Sequence, residues 1–139
     1  MTTPSVLFVC VKNSGKSQMA AGLMRKIAGD SVRVYSAGTT PGDVINALSA
    51  EALAEVGVDI SDETPKPVDV QLVPDVDFVI TLGREAHVGP VPGPSFENWD
   101  TDEPSERGID GIERMRLVRD DIAGRVADLM TRIRAQSRV

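Results

Sequence analysis

The sequence predicts an open, mostly parallel α/β sandwich of about four strands, and three observations carry that expectation. Ser5 to Cys10 (SVLFVC) and Val76 to Leu82 (VDFVITL) are short apolar runs rich in branched side chains, as strands buried on both faces of a parallel sheet require. Segments of helical period alternate with such runs, which is the order that crossover connections between parallel strands produce. The 139 residues, 41% apolar and 26% charged, suffice for one globular domain over 1–139 and show neither repeat nor low-complexity tract.

Taken in order, the first strand (5–10) is followed by the polar turn Val11-Lys12-Asn13-Ser14-Gly15. Met19, Leu23, Met24 and Ile27 then recur at helical spacing up to Gly29. Residues 32–37 read as a second strand closed by Gly38, and residues 44–56 as a second helix stopped by Gly57. Residues 61–74 hold three prolines and no sustained period, so a loop with one short helix over the sheet is expected. After the strand 76–82 come Gly83 and a turn-rich stretch (87–95). A short last strand at 95–99 and a polar loop at 100–108 follow. From Ile109 onward Ile112, Met115, Val118, Ile122, Val126, Leu129 and Ile133 step by three or four, the stripe of one long amphipathic helix packed on the sheet.

Composition narrows the functions. A net charge of -6 offers no general positive field for nucleic acid, so any anion site is local. No apolar run approaches the roughly 20 residues of a membrane span. Met1-Thr2-Thr3-Pro4 lacks the basic and apolar regions of a secretory signal, so a cytoplasmic location is expected. Cys10 is the only cysteine, which excludes an internal disulfide. His87, the only histidine, has no second ligand near it, and no metal site is expected.

In open parallel sheets ligands bind at the carboxyl ends of the strands, which directs attention to Cys10-Val11-Lys12-Asn13-Ser14-Gly15-Lys16-Ser17. A tight loop between a buried strand and a helix aims backbone N–H groups at one point, and the helix dipole adds to them. Gly15 permits a positive φ or a close backbone approach. Lys16 and Lys12 bring charge to the rim, and the amide of Asn13 can bond backbone and fix the loop's shape. Cys10 at the base, with the Ser17 hydroxyl able to donate to it, then reads as a nucleophile beside an oxyanion cradle. The bland alternative is a small inert core cysteine. Ser14-Gly15-Lys16-Ser17 also matches the end of a nucleotide-binding loop, G-x-x-x-x-G-K-[ST]. Five residues before Gly15, however, stands Cys10 rather than glycine, and the strand 78–82 runs into Gly83 rather than an acidic residue.

Cys10, five residues, Lys16 and Ser17 resemble the C-x5-R-[ST] signature of the low-molecular-weight tyrosine phosphatases and the arsenate reductases built on the same fold, with lysine for arginine. Ser36-Ala37-Gly38-Thr39, residues 51–59, Asp77 to Leu82 and Trp99-Asp100-Thr101-Asp102-Glu103-Pro104 are similar to further blocks of that family, in the same order. The resemblance implies a flavodoxin-like three-layer sandwich with a parallel four-stranded sheet flanked by helices. It also implies an oxyanion held by Val11, Lys12, Asn13, Ser14, Gly15, Lys16 and Ser17, a nucleophilic Cys10, and a proton donor at Glu103 or its neighbour Asp102. Trp99 would anchor the core or steady the acid loop.

Within the family the arsenate branch is favoured. Lysine lacks the planar fork of arginine, Ser105 rather than an aromatic follows Pro104, and the only tyrosine, Tyr35, lies in the second strand. Arg116-Leu117-Val118-Arg119-Asp120-Asp121-Ile122 also resembles that branch's R-x-x-R-D-x-I pattern. Thioredoxin-coupled relatives pass electrons through three cysteines, yet here Gly83 and Gly89-Pro90 stand where the other two would be. The resemblance therefore implies an arsenate–thiol transferase of the single-cysteine type, with no bound cofactor. Its co-substrate would be a small thiol (mycothiol, or glutathione) and its partner a mycoredoxin or glutaredoxin-like redoxin. A small-molecule or tyrosine phosphatase, and a non-catalytic oxyanion- or nucleotide-binding module, are the alternatives.

Overall fold

The computed structural model describes residues 3–136; Met1-Thr2 and the last three residues of the expected 1–139 domain lie outside them. Four strands, β1 (Ser5–Cys10), β2 (Arg33–Gly38), β3 (Phe78–Leu82) and β4 (Ser95–Trp99), form one parallel sheet in the order β2-β1-β3-β4. The α-helices are α1 (Lys16–Ala28), α2 (Ala47–Ala54) and α3 (Gly111–Gln136). The open parallel α/β fold that the sequence predicts is thus observed. None of these helices is long and apolar enough to cross a membrane.

Alternation along β1 divides the interior in two. Val6, Phe8 and Cys10 face one core with α1, α2 and α3, and Leu7 and Val9 face a smaller one. Phe8 meets Trp99 at a ring-centroid distance of 5.7 Å and a tilt of 52°, so Trp99 is a core anchor at the end of β4. The second face is covered by Val68, Leu72, Val73, Val76 and Val88, which come from connections and a single 3-10 turn, Val73–Asp75, rather than from an α-helix. The third layer exists, but it is mostly coil. The chain moves from β1 to β2 through α1 on one face; from β2 it first lays α2 on that same face and then crosses to the other, where Val68 to Val76 cover the sheet before β3.

Several boundaries differ from the sequence expectation for local reasons. The second helix begins at Ala47 rather than 44 because the Asn46 carboxamide accepts the Ser49 N–H at 2.9 Å and caps it. It ends at Ala54, capped by Glu55, before Gly57 turns the chain with φ +80. The strand β3 starts at Phe78 rather than 76; Val76 still caps the 3-10 turn Val73–Asp75, and Asp77 leads into the strand by bonding Ser5 O and the Ser95 N–H. The long helix starts at Gly111 rather than Ile109, because the Ile109 N–H still bonds back to Pro104 O across the 3-10 turn Pro104–Arg107. Its stripe meets α1 and α2 as well as the shared core under the sheet, so it packs across two helices rather than on the sheet alone.

A carboxylate fixes that helix layer. Glu55, at the end of α2, receives the Arg116 Nε and Nη2 at 3.0 and 2.6 Å and the Arg119 Nη1 at 2.8 Å, while Arg119 also donates to Ala52 O at 2.9 Å. The Arg116 to Ile122 pattern therefore docks α2 on α3. Hydrogen bonds from Arg116 and then Arg119 hold the Glu55 carboxyl down at about 2, against an ordinary 4.5. A depressed folded value stabilises the fold above the ordinary value, and the contribution fades as pH falls toward the folded one. Glu55→Gln is expected to lower the urea unfolding midpoint at neutral pH, with the gap to the unsubstituted chain narrowing between pH 4.5 and 2. A gap independent of pH would contradict this.

Candidate active site

The strand order reverses direction between β1 and β3, so their carboxyl ends open a crevice rather than being bridged by a connection. A cleft of about 410 Å³ lies there, walled by Cys10, Val11, Lys16, Gly83, Glu103 and neighbouring residues. Its floor is the loop between β1 and α1, held from behind by the segment that leaves β2. Cys10 O, Val11 O, Lys12 O and Ser14 O accept from Thr39, Thr40, Gly42 and Asn46 N–H at 3.1, 2.8, 2.9 and 2.7 Å. Trans peptides set N–H opposite C=O, so the N–H edges of the same units turn away from that segment. Gly38 makes the approach possible, since a Cβ there would lie 2.7 Å from Val11 O.

Asn13 gives the loop its shape. It is fully buried and is the only non-glycine among the described residues with a positive φ, at 54°. Sequence reasoning offered Gly15 that conformation or a close approach; Gly15 instead has φ -134, and a Cβ there would meet Ser49 Oγ at an ordinary contact distance of 3.4 Å. Asparagine tolerates the left-handed region when its short side chain bonds locally. Here Asn13 Oδ1 accepts the Lys66 N–H at 3.0 Å and Gln18 Nε2 at 3.1 Å, and Asn13 Nδ2 donates to Ser17 Oγ at 2.7 Å. A backbone N–H can only donate, so Lys66 settles the orientation of the amide. The Ser17 oxygen is thereby an acceptor from Asn13, and its hydrogen is free for Cys10 Sγ at 2.9 Å. The Asn13 N–H adds a second donor to the sulfur at 3.2 Å. Cys10 sits buried under two donors aimed at its sulfur.

Lys16, the first residue of α1, reaches across the cleft and is ion-paired with Glu103. The side chains are 21% and 26% exposed, so the pair is largely out of water. Asp102, the other candidate acid, is not part of the cleft wall. Arg107 Nη1 and Nη2 bind its two oxygens at 2.7 and 3.2 Å, and that bidentate contact holds its carboxyl below the ordinary value. The loop is tied to α3 where Asp121 Oδ2 accepts the Asp102 N–H at 2.9 Å, and where Arg125 Nη2 donates to Asp100 O at 2.9 Å. Lys12 is exposed outside the cleft, whereas Ser14 and Gly15 line a smaller depression with Asn46, Ser49 and Arg114. His87 is exposed in the connection after β3, and no group of three or more metal-binding side chains occurs among the described residues.

Sequence reasoning missed Gln18, Lys66 and Asp121. Lys66 also donates through Nζ to Ser36 Oγ at 3.4 Å and to Thr64 O at 3.3 Å, and burial lowers its ammonium below the ordinary value against the opposing charge of Glu63. Its backbone O accepts the Gly38 N–H at 2.8 Å, so one residue braces both the loop and the exit of β2. Nothing local marks its role, because its bonds to Asn13, Ser36 and Gly38 cross long stretches of chain.

Comparison with known proteins agrees with the fold. The model of the low molecular weight phosphotyrosine protein phosphatase family matches residues 5–139. An arsenate reductase of Staphylococcus epidermidis is 36% identical over 135 residues, covering 95% of this chain and 100% of the relative. One of Halalkalibacterium halodurans is 36% identical over 132 residues, covering 91% and 94%. A thioredoxin-dependent arsenate reductase of Corynebacterium glutamicum superposes with a TM-score of 0.81 at 38% identity, over 96% of this chain; the chain spans 63% of that structure's length. An arsenate reductase in its phosphate-binding state gives a TM-score of 0.81 at 32% identity, over 94% of this chain and 98% of the other.

Asn13→Ala leaves the buried Lys66 N–H without its partner and places alanine at positive φ. It should cost about 1–3 kcal/mol in urea unfolding and slow alkylation of Cys10 by iodoacetamide. A variant with native stability and native alkylation rate would remove Asn13 from this role.

Proposed function

The chain belongs to the low molecular weight phosphotyrosine protein phosphatase family, and from that premise we propose that it is an arsenate reductase working as an arsenate–thiol transferase. The observation that carries this reading is a lone sulfur, Cys10, set under two hydrogen-bond donors in a cleft that also presents Lys16 and Glu103. Relatives named arsenate reductase over nearly the whole chain support the substrate.

Arsenate enters the loop of Val11 to Ser17, bound by backbone N–H groups and by Lys16. The Cys10 sulfur attacks arsenic, an arsenic–oxygen bond breaks, and the oxygen leaves as water with a proton delivered from Glu103. A small thiol, mycothiol or glutathione, then displaces Cys10 from arsenic and hands its own proton to the site. Arsenic remains pentavalent in this adduct. A redoxin thiolate of the mycoredoxin or glutaredoxin kind next attacks the adduct's sulfur, the sulfur–arsenic electron pair stays on arsenic, and arsenite leaves with a mixed disulfide behind it. The absence of a second cysteine among the 139 residues, which leaves Cys10 no internal partner, supports an external thiol. Gly83, where a second sulfur is absent, has φ +90, a conformation that side chains rarely adopt. Glu103 is read as the proton carrier because it faces the cleft, while Asp102 is spent on Arg107 and on shaping the loop.

The deciding assay measures arsenite from arsenate with and without added thiol and redoxin, beside para-nitrophenyl phosphate hydrolysis without them. Arsenite that requires both additions supports the proposal; rapid phosphate-ester turnover with no arsenite would assign the chain to the phosphatase alternative. Cys10→Ser should abolish arsenite formation, and retained activity would mean that the thiol attacks arsenic directly. Glu103→Gln is expected to cost about 100-fold in kcat, with Asp102→Asn costing far less. The reverse order would make Asp102 the donor.

A further inference from the structure

The wall of the cleft contains a carboxylate where an anion is expected to bind. Lys16 Nζ is the one full positive charge set beside Cys10 at the start of α1, and Glu103 is already on it. An ammonium has three donors, so a tetrahedral guest can bond Lys16 without expelling Glu103. Any guest oxygen that does so comes to rest beside the carboxylate held by the same nitrogen. Two acceptor oxygens face each other there, and only a proton between them turns repulsion into a charge-assisted hydrogen bond. Arg84 does not relieve the contact, since it is committed to Asp100 at 3.0 Å and to Glu106 at 3.7 Å. Glu85 and Glu106 add further negative charge around the same cleft.

We propose that Glu103 is the specificity-determining residue of this cleft, and that it admits tetrahedral oxyanions carrying a proton and rejects those carrying none. Near neutral pH phosphate and arsenate keep at least one proton, whereas sulfate keeps none. Phosphate, arsenate and sulfate dianions are alike in charge and shape, so neither the loop N–H groups nor Lys16 distinguishes them. The carboxylate does, because the guest's own O–H donates to it. The inference rests on the reading of the loop as an oxyanion site and deepens it. In the reaction, a guest that carries two protons keeps one on the departing oxygen, and the other passes to that oxygen through Glu103, so that it leaves as water.

The test uses the intact chain without thiol, at a mildly alkaline pH where phosphate is mainly the dianion, and follows protection of Cys10 from iodoacetamide. Inorganic phosphate should protect at concentrations about tenfold to a hundredfold lower than sulfate, the range of a hydrogen bond to a charged group. Glu103→Gln should bring the two ions to near-equal potency, through tighter sulfate binding to an amide that can donate. Glu103→Asp, which keeps the carboxylate, should retain the preference and guards against a folding defect in the first variant. Equal protection by both ions in the unsubstituted chain, or a preference that survives Glu103→Gln, overturns the assignment of Glu103 alone. Protection by neither ion overturns the oxyanion site itself.

Discussion

One buried carboxamide couples the parts on which the site depends. Asn13 joins the loop after β1 to the helix that follows it, through Ser17 and Gln18, and to the Lys66 segment fifty residues away, through a backbone N–H. Its left-handed φ is tolerable because these bonds over-determine it. The same bonds orient the Ser17 hydroxyl toward Cys10. Shape of the loop and polarity around the sulfur are therefore one property rather than two. The coil that crosses the far face of the sheet is anchored at its start by this contact.

The opposite wall follows a similar logic with charges. The acid loop is held by Asp121 and Arg125 of α3, and α3 is held to α2 by Arg116 and Arg119 around Glu55. Helix docking thus sets where Glu103 stands relative to Lys16. A bidentate contact turns Asp102 toward Arg107, so two adjacent carboxylates have separate surroundings. One is part of the cleft and the other builds the loop.

Lysine at position 16 changes what the cleft can ask of its ligand. An arginine fork would fix an oxyanion by geometry; an ammonium fixes it by charge and leaves selection to its neighbours. Glu103, in contact with that ammonium, is the neighbour in question. With no second cysteine among the 139 residues, the proposed chemistry draws its electrons from outside them and so differs from that of a protein carrying its own disulfide relay.

Strand and helix identities were legible in the sequence because period and branching act locally. β1, β3 and α3 came from apolar spacing alone, and the Cys10 to Ser17 turn from the chemistry of a strand that ends on a helix. Boundaries shifted where a cap or a hydrogen bond decided them, as at Asn46 and Ile109. What composition and spacing determined was a single cysteine, without an internal disulfide partner, at the base of a lysine-bearing loop between a strand and a helix. What only the tertiary structure decided was which residues surround it: Asn13 rather than Gly15 at positive φ, Glu103 rather than Asp102 on the cleft wall, and Lys66 bracing the loop. These choices depend on bonds between residues 5 to 87 positions apart, and no local pattern records which distant partner a polar side chain will meet.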